Sequence, residues 1–182
     1  MAANVHQDVE RVLFAEEDLS RRVREMGAQI SADYAGKDLL VVSILRGAAI
    51  FAADLVRAIE LPLEMDFMAV SSYGNDTKSS GVVRFLKDVT SCVEGRHVLI
   101  VEDVLDSGLT LSSVAESFAA RNAASVEMAV LLRKNVANQA HVACRYVGFE
   151  CPDEFIVGYG LDFAEHYRNL PYIGVLKPEI YQ

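Results

Sequence analysis

The chain of 182 residues has no tryptophan, only four prolines and only three cysteines. Cys92, Cys144 and Cys151 form no Cys-x-x-Cys pair, and His6, His97, His141 and His166 are scattered without metal-ligand spacing. No disulfide framework or zinc site is read from such a pattern, and reduced thiols favour the cytosol. Positive charge is also scarce: 17 Lys and Arg face 26 Asp and Glu, a net charge of −9. Nucleic-acid affinity depends on neutralising phosphates with a basic face, so no nucleic-acid partner is expected. A small anionic substrate stays compatible, because it needs only local positive potential or a metal ion. The longest apolar stretch, around Leu39 to Leu45, is far too short to cross a bilayer. The opening "MAANVHQDVERVLFAEEDLS" lacks a basic segment followed by an apolar one, so neither a signal peptide nor a membrane partner is expected. With 52% hydrophobic residues, disorder is not expected either. The expectation is a cytoplasmic globular protein.

What is present is an alternation of strand and helix patterns. Leu19, Val23, Met26, Ile30 and Tyr34 recur every three or four positions, predicting a helix over Glu16 to Tyr34. "KDLLVVSIL" reads as a strand ending at Leu45, followed by a turn at Arg46-Gly47 and a helix through "AIFAADLVRAIE". "LPLEMDFMAVSSY" predicts another strand, running into the polar "SSYGNDTKSSGVVR". "HVLIV" predicts a strand buried on both faces, and a helix follows from about Leu109 to Asn122. "SVEMAVLLRKN", "CRYVGFE" and "EFIVGYG" supply further strands, and the tail "NLPYIGVLKPEIYQ", with two prolines, is expected to wrap the surface.

Alternating strands and helices imply βαβ units: an α/β fold with a mainly parallel twisted sheet flanked by helices. A single domain over 1–182 is expected, with a small cap formed by the chain ends, about 1–15 and 150–182. In such sheets ligands bind beyond the carboxyl ends of the strands. The informative positions are therefore Leu45 to Gly47, Ser71 to Tyr73, Glu102 to Thr110, Arg133-Lys134 and Phe155 to Asp162.

"VLIVEDVLDSGLTLSS" (98–113) stands out among these, as a strand, a short loop and the first turn of a helix. The free N–H groups and dipole of a helix N-terminus attract a phosphate, and Ser107, Gly108 and Thr110 add hydroxyls and an unobstructed backbone. Yet Glu102, Asp103 and Asp106 crowd the same place with carboxylates. There is no GxxxxGK[ST] and no GxGxxG. Paired carboxylates beside a phosphate cradle suit a ligand that offers a diol, or one that carries Mg²⁺. Phosphoribosyl pyrophosphate has a phosphate, a ribose diol and a Mg²⁺-binding pyrophosphate.

This segment closely resembles the signature of type I phosphoribosyltransferases. "ILRGA", "SSYGND", "LLRK", "PDEFIVGYGLD" and "YRNLPYIG" continue the resemblance, in the order expected of hypoxanthine-guanine phosphoribosyltransferases, over nearly the whole chain. The resemblance implies Mg²⁺-dependent transfer of a phosphoribosyl group from phosphoribosyl pyrophosphate to N9 of hypoxanthine or guanine. The products would be IMP or GMP and pyrophosphate. Family members are homodimers or homotetramers. Glu102 and Asp103 would serve the ribose hydroxyls and the metal, and Asp106 would act as general base at N7 of the purine. Ser107, Gly108, Leu109 and Thr110 would hold the 5′-phosphate, Leu109 through its backbone N–H where some relatives carry Lys. Leu45, Arg46 and Gly47 would form the pyrophosphate loop, in which the family has a cis peptide bond at the position of Leu45-Arg46. Ser72 and Tyr73 would belong to a closing lid.

The remaining residues also have plain readings. Lys134, which the resemblance places on O6 of a 6-oxopurine, would alone be a solvated strand-end lysine. Phe155, implied to cover the base beside the Ile156 backbone, would ordinarily be core. Asp162, implied to lie near the metal, could be a helix N-cap. Arg168, implied to reach the pyrophosphate, could form a surface salt bridge. Two rival functions are a regulator on the same fold that binds phosphoribosyl pyrophosphate or nucleotide, and a transferase preferring xanthine or uracil.

Overall fold

A computed structural model of the chain describes residues 5–72, 83–135 and 143–181. After a short 3-10 turn at Val5–Asp8, the elements in chain order are β1 (Val9–Phe14), α1 (Glu16–Asp33), β2 (Leu39–Leu45), α2 (Ala49–Ala58), β3 (Leu63–Ser72) and β4 (Val83–Lys87). They continue with β5 (His97–Leu105), α3 (Leu109–Ala120), β6 (Ser125–Lys134), β7 (Tyr146–Cys151), β8 (Ile156–Val157), β9 (Ile173–Leu176) and the short α4 (Pro178–Tyr181).

Six strands form the main sheet in the order β4-β3-β2-β5-β6-β7. All neighbours in it are parallel except β3 and β4. The strands β2 and β5 are apolar on both faces because both faces are covered. Leu39, Val41, Leu99 and Val101 join the side chains of α1 and α2, including Met26, Ile30, Phe51 and Leu55, in one core. Leu40, Val42, Val98 and Ile100 join Leu111, Val114 and Phe118 of α3 in the other. The alternation of successive side chains across the sheet thus divides each run between two helical layers.

From β2 the chain steps to β3 on one side, and from β5 to β6 and β7 on the other. The carboxyl ends of β2 and β5 therefore flank the point where strand order reverses, where open α/β sheets form a crevice.

Three local expectations are corrected. The tail does not simply wrap the surface: Ile173–Leu176 is a fully buried strand in the middle of a second, antiparallel sheet, β1-β9-β8. Ile173 and Val175 join the core beneath α1 and α2, and Leu176 joins a cluster with Val157, Tyr167 and Leu170, which outweighs the nearby prolines. Val83–Lys87, which starts at the end of the polar segment, is an edge strand paired with β3, with Arg84 to Lys87 exposed. The strand β5 runs past Val101 to Leu105, because β6 extends beside it and pairs Glu102 with Val130 and Leu105 with Arg133. Glu102 and Asp103 accordingly sit on the end of a strand and not in a loop.

Candidate functional site

The turn between β5 and α3 is built around Gly108, which has φ +79° at the N-cap of α3. A side chain there would be strained, so glycine is the natural occupant. Gly108 has no side chain with which to cap the helix, so the N-cap makes no side-chain hydrogen bond to the N–H groups of the first turn. Glu102, Val104, Asp106, Ser107, Gly108 and Thr110 line a concavity of ≈ 200 Å³ at this end. Asp106 and Ser107 are exposed, Thr110 is half-buried, and the Leu109 side chain points to solvent with 40% of its surface exposed. Leu109 itself is not among the residues that line the concavity. Such a helix terminus at the mouth of a crevice favours an anion.

Two carboxylates occupy the last turns of β5. Asp103 accepts the N–H of Val104 at Oδ1 (2.8 Å), and Glu102 accepts the N–H of Asp103 at Oε1 (3.2 Å). Burial and the adjacent Asp103 charge push the Glu102 carboxyl well above the usual carboxylate range. A cation or a pair of hydroxyl donors would relieve that repulsion. Among the described residues no three His, Cys, Asp or Glu side chains form a group able to hold a metal ion unaided. That donor set suits Mg²⁺, which commonly takes one or two carboxylates and completes its shell with substrate oxygens and water.

The turn after β2 lies against these carboxylates. The Leu45-Arg46 peptide bond is cis. A Cβ at Gly47 would lie 1.7 Å from Asp103 Oδ2, and a Cβ at Gly160 (φ +105°) would lie 2.1 Å from the Gly47 carbonyl oxygen. The β2 turn therefore touches both the end of β5 and the 158–168 segment. Arg46 extends from this turn to Glu165 (2.8 Å). Arg168 donates to the Gly160 carbonyl (2.8 Å) and pairs with Asp162 (2.9 Å) and Glu165 (3.2 Å). Asp162 also accepts the N–H of Glu165 (2.9 Å). Asp162 is therefore no helix N-cap but the closing residue of a turn, and Arg168 does form ion pairs.

Lys134 ends β6 and is largely covered, with 18% of its side chain exposed and an ion pair to Asp153 (3.1 Å). It is not the solvated strand-end lysine of the plain reading. Phe155 is 39% exposed and so is not core, whereas Ile156 is buried in β8. Lys134, Asp153, Phe155 and Tyr181 line one hollow of ≈ 470 Å³. Ser72 ends β3, and Tyr73 lies outside the described residues.

Sequence reasoning missed Glu165, Gly160, Asp153 and Tyr181. Asp153 stands two residues before Phe155 and Glu165 three before Arg168, so their proximity to chosen residues was visible in the sequence. Their pairing depends on how the chain turns back, and Tyr159, Ala164, Glu165 and Tyr167 all have positive φ in that stretch.

The family model of the phosphoribosyl transferase domain matches residues 13–164. A hypoxanthine-guanine phosphoribosyltransferase of Bacillus subtilis is 52% identical over 175 residues, covering 96% of this chain and 97% of that protein. The bifunctional protein TilS/HprT of Listeria innocua is 52% identical over 178 residues, but there the chain spans only 28% of the relative's length. A solved hypoxanthine phosphoribosyltransferase from Staphylococcus aureus superposes with a TM-score of 0.96 at 48% identity, covering 100% of this chain and 99% of that one. The chain belongs to the phosphoribosyltransferase family and, within it, to the hypoxanthine-guanine phosphoribosyltransferases.

Proposed function

We propose that the protein is a purine-salvage enzyme that transfers the phosphoribosyl group of phosphoribosyl pyrophosphate to N9 of hypoxanthine or guanine. IMP or GMP and pyrophosphate are the products. The observation that carries this reading is the uncapped N-terminus of α3 opening on the same concavity as Glu102 and Asp106. One end of that concavity suits a phosphate and the other suits hydroxyls and a base.

In this reading Ser107, Gly108, Leu109 and Thr110 receive the 5′-phosphate through the hydroxyls and the helix N–H groups. Glu102 and Asp103 accept the ribose hydroxyls. Leu45, Arg46, Gly47 and Arg168 receive the pyrophosphate, with Ser72 and Tyr73 in a lid that keeps water from the reacting carbon. Mg²⁺, held by substrate oxygens and by one or two of the carboxylates Glu102, Asp103 and Asp162, would neutralise charge on the departing pyrophosphate. Phe155 stacks on the purine, the Ile156 backbone contacts its edge, and Lys134 donates to O6. Asp106 takes the proton from N7, so the base attacks C1′ through N9 while the C1′–O bond pair leaves with pyrophosphate. The three-stranded sheet β1-β9-β8 acts as the cap over the base side. The protein works in the cytosol, as a homodimer or homotetramer.

Supply of phosphoribosyl pyrophosphate, Mg²⁺ and hypoxanthine or guanine should release pyrophosphate in step with nucleotide formation. Binding of phosphoribosyl pyrophosphate without turnover on any base would contradict the enzyme and favour a regulator.

A further inference from the structure

We infer that Tyr181 is a positioning residue for base recognition: its ring backs Phe155 and fixes the plane on which the purine lies. The inference rests on the proposed stacking role of Phe155. A phenylalanine with 39% of its surface exposed, on the connection between β7 and β8, would lose rotamer freedom on being held still. Two aromatic neighbours hold it. Tyr181 stacks on it with ring centroids 4.6 Å apart and planes 16° apart. Phe163 meets it edge-on, at 5.4 Å and 86°. Both are favourable aromatic geometries.

Tyr181 is itself anchored to the residue it backs. The Leu176 N–H donates to the Phe155 carbonyl (2.9 Å), the Lys177 N–H to the Asp8 carbonyl (2.9 Å), and the Ile180 N–H to the Lys177 carbonyl (3.0 Å). One short segment therefore grips the Phe155 backbone at its start and the Phe155 ring at Tyr181. With both neighbours in place a substantial part of the ring stays open, in a hollow it shares with Lys134.

The test is steady-state kinetics of Tyr181→Ala, Tyr181→Phe, Phe155→Ala and the Phe155→Ala/Tyr181→Ala double variant, with hypoxanthine and phosphoribosyl pyrophosphate varied separately. Tyr181→Ala should raise KM for hypoxanthine by about two- to tenfold. KM for phosphoribosyl pyrophosphate should stay within about twofold, Tyr181→Phe should restore the wild-type value, and the double variant should match Phe155→Ala alone. An unchanged or lowered base KM in Tyr181→Ala, beside a raised one in Phe155→Ala, would overturn the inference and leave the role of Phe155 standing. No effect of Phe155→Ala on base KM would overturn both. Equal losses for both substrates in Tyr181→Ala would reduce it to a structural residue and also overturn the inference.

Discussion

Gly47 lies so close to Asp103 that a Cβ on it would come within 1.7 Å of Oδ2. The turn after β2 and the carboxylate end of β5 thereby approach closely at the switch point of the sheet. Gly47→Ala must displace the Asp103 carboxylate or the turn itself. An ångström of misplacement in such a site can cost about 10²-fold in rate. Activity should fall by about that factor while the melting temperature changes little, read by kcat/KM beside thermal unfolding. Wild-type turnover in this variant would show that the contact has no catalytic importance.

Asp106 is exposed at the rim of the α3 concavity, within reach of a ligand there. As general base it should contribute about 10² to 10⁴ in rate. Asp106→Asn should lose activity on that order and still bind IMP, measured by turnover and by calorimetric titration. Unchanged turnover would remove Asp106 from the mechanism.

In the proposed function Lys134 carries discrimination at the 6-position. Its ammonium, held by Asp153, suits a carbonyl oxygen and opposes an amino group. Sites built around such a bond can reject the wrong partner by about 10⁴ or more. Lys134→Gln should lower kcat/KM for hypoxanthine by at least about tenfold and narrow its advantage over adenine. An unaltered ratio of the two bases would place discrimination elsewhere.

Asp66 gives the fold a definable acid sensitivity. It is buried and accepts the N–H groups of Phe67 (2.7 Å), Thr90 (2.6 Å) and Ser91 (3.1 Å) and the Thr90 hydroxyl (3.0 Å). Burial pushes its pKa up, but these donors together hold it below the usual carboxylate range. A lowered folded value means that the stabilisation is complete above the unfolded value of about 4 and is lost as pH falls towards the folded one. Asp66→Asn should therefore flatten the pH dependence of stability below about pH 4. Asp66→Ala, which strands several donors, should cost about 2 kcal/mol or more at neutral pH. Denaturant titrations across pH read both, and an unaltered acid limb in Asp66→Asn would contradict the assignment.

The parts of the fold legible in the sequence are those whose burial is uniform. Leu39–Leu45, broken only by the buried Ser43, and Val98–Val101 are apolar runs because helices cover both faces of their sheet. The α1 stripe is legible because only one side of that helix is buried. Val9–Phe14 and Val83–Lys87 were not, since each is largely exposed and exists through pairing with a partner distant or turned back in sequence. Ile173–Leu176 was masked by flanking prolines, although all four of its residues are buried.

The candidate site follows the same division. The cradle from Glu102 to Thr110 is local, so its carboxylates, hydroxyls and glycine stood out in the sequence, while the role of each came from the family resemblance. Arg46, Glu165, Arg168 and Asp162 meet only because the 158–168 segment turns through several positive φ values. Their roles needed the family resemblance, and the Arg46–Glu165 link was invisible before folding.

The central claim is that one crevice joins a phosphoribosyl cradle to a pocket for a 6-oxopurine. It is tested most directly by kcat/KM for nucleotide formation from phosphoribosyl pyrophosphate and Mg²⁺ with hypoxanthine, guanine, xanthine, adenine and uracil offered one at a time. The account predicts IMP from hypoxanthine or GMP from guanine, with adenine poorer by about 10⁴ or more. Comparable use of adenine, or uracil as the preferred base, would contradict it.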